Sequence, residues 1–252
     1  MNPSAVEHMM AVLRGGERDR CIRMASKQEI WAVVPVKETT FAKQRLAKLL
    51  PAPARRELAL AMLDDVLEAV TAVKELRGVV VVTLDLDATA AAQRWGAQVW
   101  TDGARDGHTG AVTAAARRLA DEGAAMLTLP GDVPLVTPVD IREIMSAHQK
   151  SPGFVIVPAR DELGSNAILC AQPTRVPLRF GANSYFPHLD AARAHGVEPT
   201  TVVLSRIALD VDEPEDLVEF MKVPSSTRAR MLVGRFDLGS TTAGPSIDRA
   251  IA

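Results

Sequence analysis

The 252-residue sequence reads as an α/β protein with a mostly parallel sheet covered by helices on both faces. Two observations lead there. Short, continuously apolar runs such as Trp31-Ala-Val-Val-Pro-Val36 and the Val-rich Gly78–Leu84 lack the alternation of a half-exposed strand, so they suit strands buried on both sides. Between them lie segments with apolar residues at helical spacing, the clearest being Leu58, Ala61, Met62, Val66, Leu67 and Val70 within Arg55–Ala72. The alternation continues along the chain. Ala88–Trp95 is a helix, Gln98–Trp100 a short strand, Gly110–Glu122 an Ala-rich helix, and Ala124–Leu129 another buried strand. Pro138–Gln149 reads as a helix with proline near its start, where the missing N–H is harmless.

The ends differ from this middle. Residues 1–28 are polar, mixed in charge and weakly patterned, and are read as a leader, with Met24 an alternative start. Residues 223–252 are rich in Ser, Thr, Arg and Gly and are read as a C-terminal tail, leaving 29–222 as the one domain. Apolar residues make up 47% of the chain, enough for a sizeable core and against global disorder. A net charge of −2 offers no basic footprint for nucleic acid or an anionic membrane, so any anion must be held locally. Two cysteines, Cys21 and Cys170, make no disulfide framework, and no Cys/His spacing describes a zinc site. No apolar run reaches the ~20 residues needed to span a membrane, and no signal-peptide h-region opens the chain. The expectation is a cytoplasmic enzyme.

In a sheet of this kind ligands bind at the carboxyl ends of the strands, so the loops that follow the strands carry the functional reading. The first is Val34-Pro-Val-Lys-Glu-Thr-Thr-Phe-Ala-Lys-Gln-Arg-Leu46, which sets Lys37, Lys43 and Arg45 within nine residues. Three cations there suit a triphosphate under attack at its α-phosphorus. A solvated basic loop is the plain alternative. The loop is not a P-loop, since it lacks the glycines and the terminal Gly-Lys-Ser/Thr. The second is Leu129-Pro-Gly-Asp-Val-Pro-Leu135, in which Gly131 and the prolines shape a turn that presents Asp132. A carboxylate at a strand end is a natural Mg²⁺ ligand, or else simply a cap for the next helix. Downstream, Asp210-Val-Asp212 is read as a short strand whose alternation points two carboxylates to one face; one of them would complete a two-carboxylate metal site with Asp132, or else Asp212 or its neighbour caps the helix that begins near Pro214. Gly-Ser pairs at Leu163-Gly-Ser-Asn-Ala-Ile168 and Phe180-Gly-Ala-Asn-Ser-Tyr185 offer backbone N–H groups and hydroxyls to a phosphate, or are ordinary turns. The Gly-rich stretch Thr101–Gly110 is read as a loop, with Asp102 a candidate polar contact to a base or ribose. His108 is read as a turn residue and His188 as a helix-surface or structural histidine. Neither has the partners of an acyl-transfer triad.

Taken in order, Val34-Pro-Val-Lys with Ala42-Lys-Gln-Arg-Leu46, Gly131-Asp-Val-Pro-Leu135, Gly164-Ser-Asn, Phe180-Gly-x-x-Ser and Asp210-Val-Asp-x-Pro-x-Asp-Leu217 resemble the 2-phospho-L-lactate / phosphoenolpyruvate guanylyltransferase family of coenzyme F420 biosynthesis. The resemblance spans about Trp31 to Phe220. It implies a Rossmann-like three-layer sandwich of the nucleotide-diphospho-sugar transferase (glycosyltransferase A-like) type. It implies transfer of GMP from GTP to a small phosphorylated carboxylic acid (2-phospho-L-lactate, phosphoenolpyruvate or 3-phosphoglycerate), with Mg²⁺ as cofactor and pyrophosphate released. By the same resemblance Lys37, Lys43 and Arg45 fall on the triphosphate loop, and Asp132 and Asp212 on the metal. Ser165, Gly181 and Ser184 fall on the phospho-acid. Ser165 stands where the family usually has Thr, which keeps the hydroxyl and removes a methyl. A homodimer is compatible with the pattern. The rival expectations are a nucleotidyltransferase of the same fold using CTP, and a non-catalytic nucleotide-binding regulator.

Overall fold

The computed structural model describes residues 28–150, 153–181 and 183–236. Among these, seven strands form one sheet: β1 (Ile30–Pro35), β2 (Gly78–Val82), β3 (Gln98–Trp100), β4 (Ala125–Thr128), β5 (Phe154–Pro158), β6 (Ser165–Cys170) and β7 (Pro199–Thr201). Their order across the sheet is β3-β2-β1-β4-β6-β5-β7, and four of the six pairings are parallel. The helices are α1 (Ala52–Thr71), α2 (Leu86–Arg94), α3 (Gly107–Asp121), α4 (Pro138–Lys150), α5 (Tyr185–Ala194), α6 (Ser205–Ala208), α7 (Pro214–Lys222) and α8 (Arg228–Val233).

The two-sided burial read from the strands is what the sheet shows. In β1, Ala32 and Val34 face a core shared with α1, α2 and α4, while Trp31 and Val33 face a second core built with α3 and α5. The result is a three-layer α/β sandwich, as expected. A third apolar cluster lies to one side, where Leu46 and Leu50 of the β1–α1 loop meet Leu58 and Met62 of α1, Phe220 of α7 and Leu232 of α8. Residues 223–236, read from sequence as the start of a tail, therefore include a helix packed into this cluster. Asp65 on α1 accepts from the Arg228 and Ala229 backbone N–H groups (2.8 and 2.9 Å), satisfying donors at the start of α8 that have no intrahelical partner. Nearly all of the leader, Met24 included, lies outside the described residues, as do residues 237–252.

Two local readings change. Phe154–Pro158 is a strand that the sequence reading passed over, and it pairs with β6 as an antiparallel hairpin. The connection Ala159–Gly164 is too short for a parallel crossover. It turns through Glu162 in the left-handed region (φ 56°), with Asp161 Oδ1 accepting from Leu163 N–H and Gly164 N–H. The second change is in Thr101–Gly110. Only its first part is a loop and a short 3₁₀ turn (Ala104–Asp106), and α3 already begins at Gly107.

The topology fixes where a ligand can sit. From β1 the chain crosses to β2 and β3 on one side, then returns to β4 on the other, so the order reverses between β1 and β4. Crevices in open α/β sheets form at such a reversal, beyond the carboxyl ends of the strands. Because β6 runs antiparallel to β4, it is the start of β6, at Ser165, that reaches the same edge.

Leu232→Ala is expected to lower the unfolding free energy by about 2–5 kcal/mol, because it empties a buried site between α8 and α1. Urea denaturation checks this. A loss near zero would mean that α8 is not integral to the domain.

Candidate functional site

A cleft of about 620 Å³ opens at the β1/β4 reversal. Its walls are the loop after β1, the Pro130-Gly-Asp132 turn after β4, Met62 and Leu63 of α1, His108 of α3 and Asp212. The candidate residues Lys37, Lys43, Arg45, Asp132 and Asp212, far apart in sequence, all line it.

Lys43 is its centre. The chain passes through Lys43 in the left-handed region (φ 52°, ψ 43°), which is uncommon for a residue other than glycine and is held here by its surroundings. Leu46, three residues on, is fully buried in the third apolar cluster and anchors the loop from below. The Lys43 side chain is only 7% exposed, and its Nζ donates to Asp132 Oδ2 (2.7 Å) and Asp212 Oδ1 (2.6 Å). Burial would by itself lower the ammonium's pKa. The two carboxylates outweigh it and hold the pKa above its ordinary value. Conversely, burial would raise Asp212, and Lys43 overrides that to hold its carboxyl below the usual range.

Lys37 and Arg45 are more exposed. Arg45 pairs with Glu213 at 3.0 Å, a solvent-screened contact that is easily exchanged for another anion. Lys37 carries no hydrogen bond or ion pair among the described residues. Both nonetheless act on Asp212 through space.

The Asp210–Asp212 segment is not a strand, contrary to expectation, although the alternation of burial holds. Val211 is buried, its N–H donates to the Asp132 carbonyl (3.1 Å), and the two carboxylates lie on the other side. The cap of α7 falls on the neighbour of Asp212, which leaves the Asp212 side chain to Lys43. Glu213 is the N-cap, and Asp216 reaches back to the Glu213 N–H in a capping box. Asp210 accepts from Asn166 Nδ2 (3.0 Å), and burial together with the nearby Asp132 charge pushes its pKa up to about 6. Asp132 Oδ1 is buried with no hydrogen-bond partner.

Ser165 and Ser184 come together, Oγ to Oγ at 3.4 Å, but they and Gly181 are not part of the cleft wall that carries Lys43. The two groups are joined by a row of rings. His108 lies 4.4 Å from Phe180 (centroid to centroid), and Phe180 lies 5.1 Å from His188, which bonds to Ser165. Neither histidine titrates near neutrality. Burial lowers His108 to about 4, helped by Lys37 and opposed by Asp132; burial and His108 lower His188 to about 4.

Several contributors escaped the sequence reading. Asp85, the N-cap of α2, spends one oxygen on the Asp87 and Ala88 N–H groups. Its other oxygen accepts from Thr39 N–H (2.8 Å) and Thr39 Oγ (2.7 Å), pinning the cationic loop to the neighbouring strand's helix. The cap was readable from Asp85 before an Ala-rich helix, but its reach to Thr39 was not. Arg55, also buried, donates to the Ala42 and Leu50 carbonyls and braces the same loop. Thr109 brackets Phe180, accepting its N–H at 3.0 Å.

A cleft at the switch point of a Rossmann-like sheet, lined by cations from the first loop and carboxylates from two others, suits a nucleotidyltransferase, the class its relatives belong to. Residues 30–242 match the family model described as "Guanylyl transferase CofC like", and the chain belongs to that family. Among named relatives, a phosphoenolpyruvate guanylyltransferase from Roseiflexus castenholzii is 38% identical over 208 residues, covering 82% of this chain and 95% of the relative. One of the same name from Rubrobacter xylanophilus is 38% identical over 192 residues, covering 75% and 91%. Among solved structures, a protein of nucleotide-diphospho-sugar transferase type from Desulfovibrio desulfuricans superposes with a TM-score of 0.66 at 19% identity, covering 84% of this chain and 96% of that one. A 4-diphosphocytidyl-2C-methyl-D-erythritol synthase gives 0.54 at 14%, covering 82% and 100%. These two likenesses speak to the fold alone. No helix among the described residues is long and apolar enough to cross a membrane.

Both buried histidines bind fewer protons folded than unfolded, since their folded pKa of about 4 lies below the ordinary 6.5. Their contribution to stability is therefore complete above 6.5 and is lost as pH falls towards 4. Thermal melting between pH 7 and 5 is expected to show this decline, with a shallower slope in His108→Gln. An unchanged slope in that variant would show that His108 does not contribute.

Proposed function

We propose that this chain is a GTP-dependent guanylyltransferase that joins GMP to a small phosphorylated carboxylic acid, with 2-phospho-L-lactate, phosphoenolpyruvate and 3-phosphoglycerate as the candidate acceptors. The observation that carries the reading is the meeting of Lys43 with Asp132 and Asp212 in the switch-point cleft of a chain from this family. The phosphoenolpyruvate named for its relatives supports that acid as an acceptor, and the family resemblance would set the reaction in coenzyme F420 biosynthesis.

The donor set fits Mg²⁺. Lys43 Nζ meets the carboxylates of Asp132 and Asp212, Asp132 Oδ1 is buried without a partner, and the Asp132 charge adds to burial in raising the Asp210 pKa. No three His, Cys, Asp or Glu side chains among the described residues cluster tightly enough to hold a metal alone. An ion here would take one or two protein carboxylates and complete its shell with phosphate oxygens and water. Asp132 would hold it, with Asp212 or Asp210 as the second ligand. When bound, Mg²⁺ would neutralise charge developing on the triphosphate.

The chain's own part is positioning and charge. Lys37, Lys43 and Arg45 bind the triphosphate and draw electron density from its α-phosphorus. A phosphate oxygen of the acid attacks that phosphorus, the α–β P–O bond breaks, and pyrophosphate leaves with the bonding pair. The attacking phosphate is largely ionised near neutral pH, so no side chain has to remove a proton. His108 and His188, neutral at that pH, are free of an acid–base role. Ser165, Gly181 and Ser184 hold the acid.

The test is Mg²⁺-dependent pyrophosphate release with GTP and each of the three acids. One acid should support turnover, and Asp132→Ala should lose about 100-fold or more in kcat. Consumption of CTP in place of GTP would overturn the nucleotide assignment. Binding of nucleotide with no pyrophosphate release from any acid would favour a non-catalytic binding protein.

A further inference from the structure

The geometry points to His188 as a positioning residue that turns the Ser165 hydroxyl into a dedicated hydrogen-bond donor for an anionic oxygen of the acceptor acid. The inference rests on the reading of Ser165 as a contact to that acid and adds a residue which that reading does not include.

His188, on the first turn of α5, is 1% exposed and has both ring nitrogens engaged. The Arg179 backbone N–H donates to Nε2 at 3.0 Å. A backbone amide can only donate, so Nε2 must carry the lone pair. A neutral ring then has its proton on Nδ1, and Nδ1 lies 3.0 Å from Ser165 Oγ. The Nδ1–H group therefore donates to Ser165. Ser184 Oγ donates to the same oxygen at 3.4 Å. Ser184 precedes α5 but makes no side-chain capping bond, so its hydroxyl is available for this contact.

A serine oxygen accepts at two lone pairs and donates one proton. With both lone pairs taken, the Ser165 proton can go only to an outside acceptor. The phosphate and carboxylate oxygens of the acid offer only acceptors, whereas an ammonium group would meet this oxygen with a donor it can no longer receive. Hydrogen bonds in series also polarise one another, which strengthens the last O–H in the row. The same ring ties two segments to one point. Ser165 opens β6, Arg179 belongs to the loop before α5, and Phe180 packs against the His188 edge while Thr109 holds its backbone. His188 thus sets the spacing between Ser165 on one side and Gly181 and Ser184 on the other.

The experiment has two arms. Nitrogen-15 NMR of the wild-type protein at pH 7 should show His188 neutral, with Nδ1 protonated and Nε2 bare. An Nε2–H tautomer or an imidazolium would overturn the inference, and this arm requires no variant to fold. Kinetics then separates the two ring nitrogens, using phosphoenolpyruvate and GTP. His188→Gln can still accept from Arg179 but loses the donor to Ser165, and it should raise KM for the acid about tenfold while leaving KM for GTP unchanged. His188→Asn places its amide nitrogen near the position of Nδ1 and should recover most of that loss. Equal impairment in both variants would assign His188 a packing role and overturn the inference. Ser165→Ala should raise the acid KM similarly, and adding His188→Gln to it should change little. If Ser165→Ala leaves the acid KM unchanged, the reading of Ser165 itself fails. If Ser165→Ala raises it and His188→Gln does not, only the role of His188 fails.

Discussion

A buried ammonium between two carboxylates organises the functional end of this molecule. Lys43 belongs to the loop after β1, Asp132 to the turn after β4, and Asp212 to a segment some eighty residues further on. None would keep its place if the others were removed, because a charge left unpaired in a partly dry cleft is costly. The left-handed backbone at Lys43, the Leu46 anchor below it and the Asp85–Thr39 tether beside it all serve to deliver that one Nζ atom. The Val211 N–H to Asp132 carbonyl bond does the same for the carboxylate side. The cluster is strong in local charge but incomplete, with one Asp132 oxygen unpartnered and Asp210 poised near neutrality.

The rest of the fold can be understood as support for that meeting point. Parallel strands bring the β1 and β4 loops to one edge, and the strand order opens a crevice between them. The antiparallel β6 then brings a strand start to the same edge, placing Asn166 against Asp210 and Ser165 against His188. The cleft carrying Lys43 and the hydroxyl pair at Ser165 and Ser184 are distinct, and the His108–Phe180–His188 row of rings is the packed connection between them.

Much of the fold was legible because burial on both faces leaves a direct trace in composition. Val-rich strands, helical spacing in α1 and α3, and proline at the start of α4 all read correctly. The β5–β6 hairpin did not, because its turn depends on Asp161 and Glu162 in a conformation that no Asn-Gly or Asp-Gly pair announces. Residues 223–236 misled for a related reason. Their composition is loop-like, and α8 is held by Asp65 and a cluster assembled from distant segments.

Sequence by itself determined the sandwich, the loops to inspect, and the cations and carboxylates that line the cleft, since chemical type and position after a strand are local properties. Tertiary structure alone decided how those groups are used. It paired Lys43 with Asp132 and Asp212, relieved Asp212 of capping through Glu213 and Asp216, and left Arg45 in an exposed pair. It also moved His188 from a helix residue to a buried ring with both nitrogens engaged. Protonation and hydrogen-bond direction depend on which groups lie within about 3 Å through space, and separation along the chain carries no record of that.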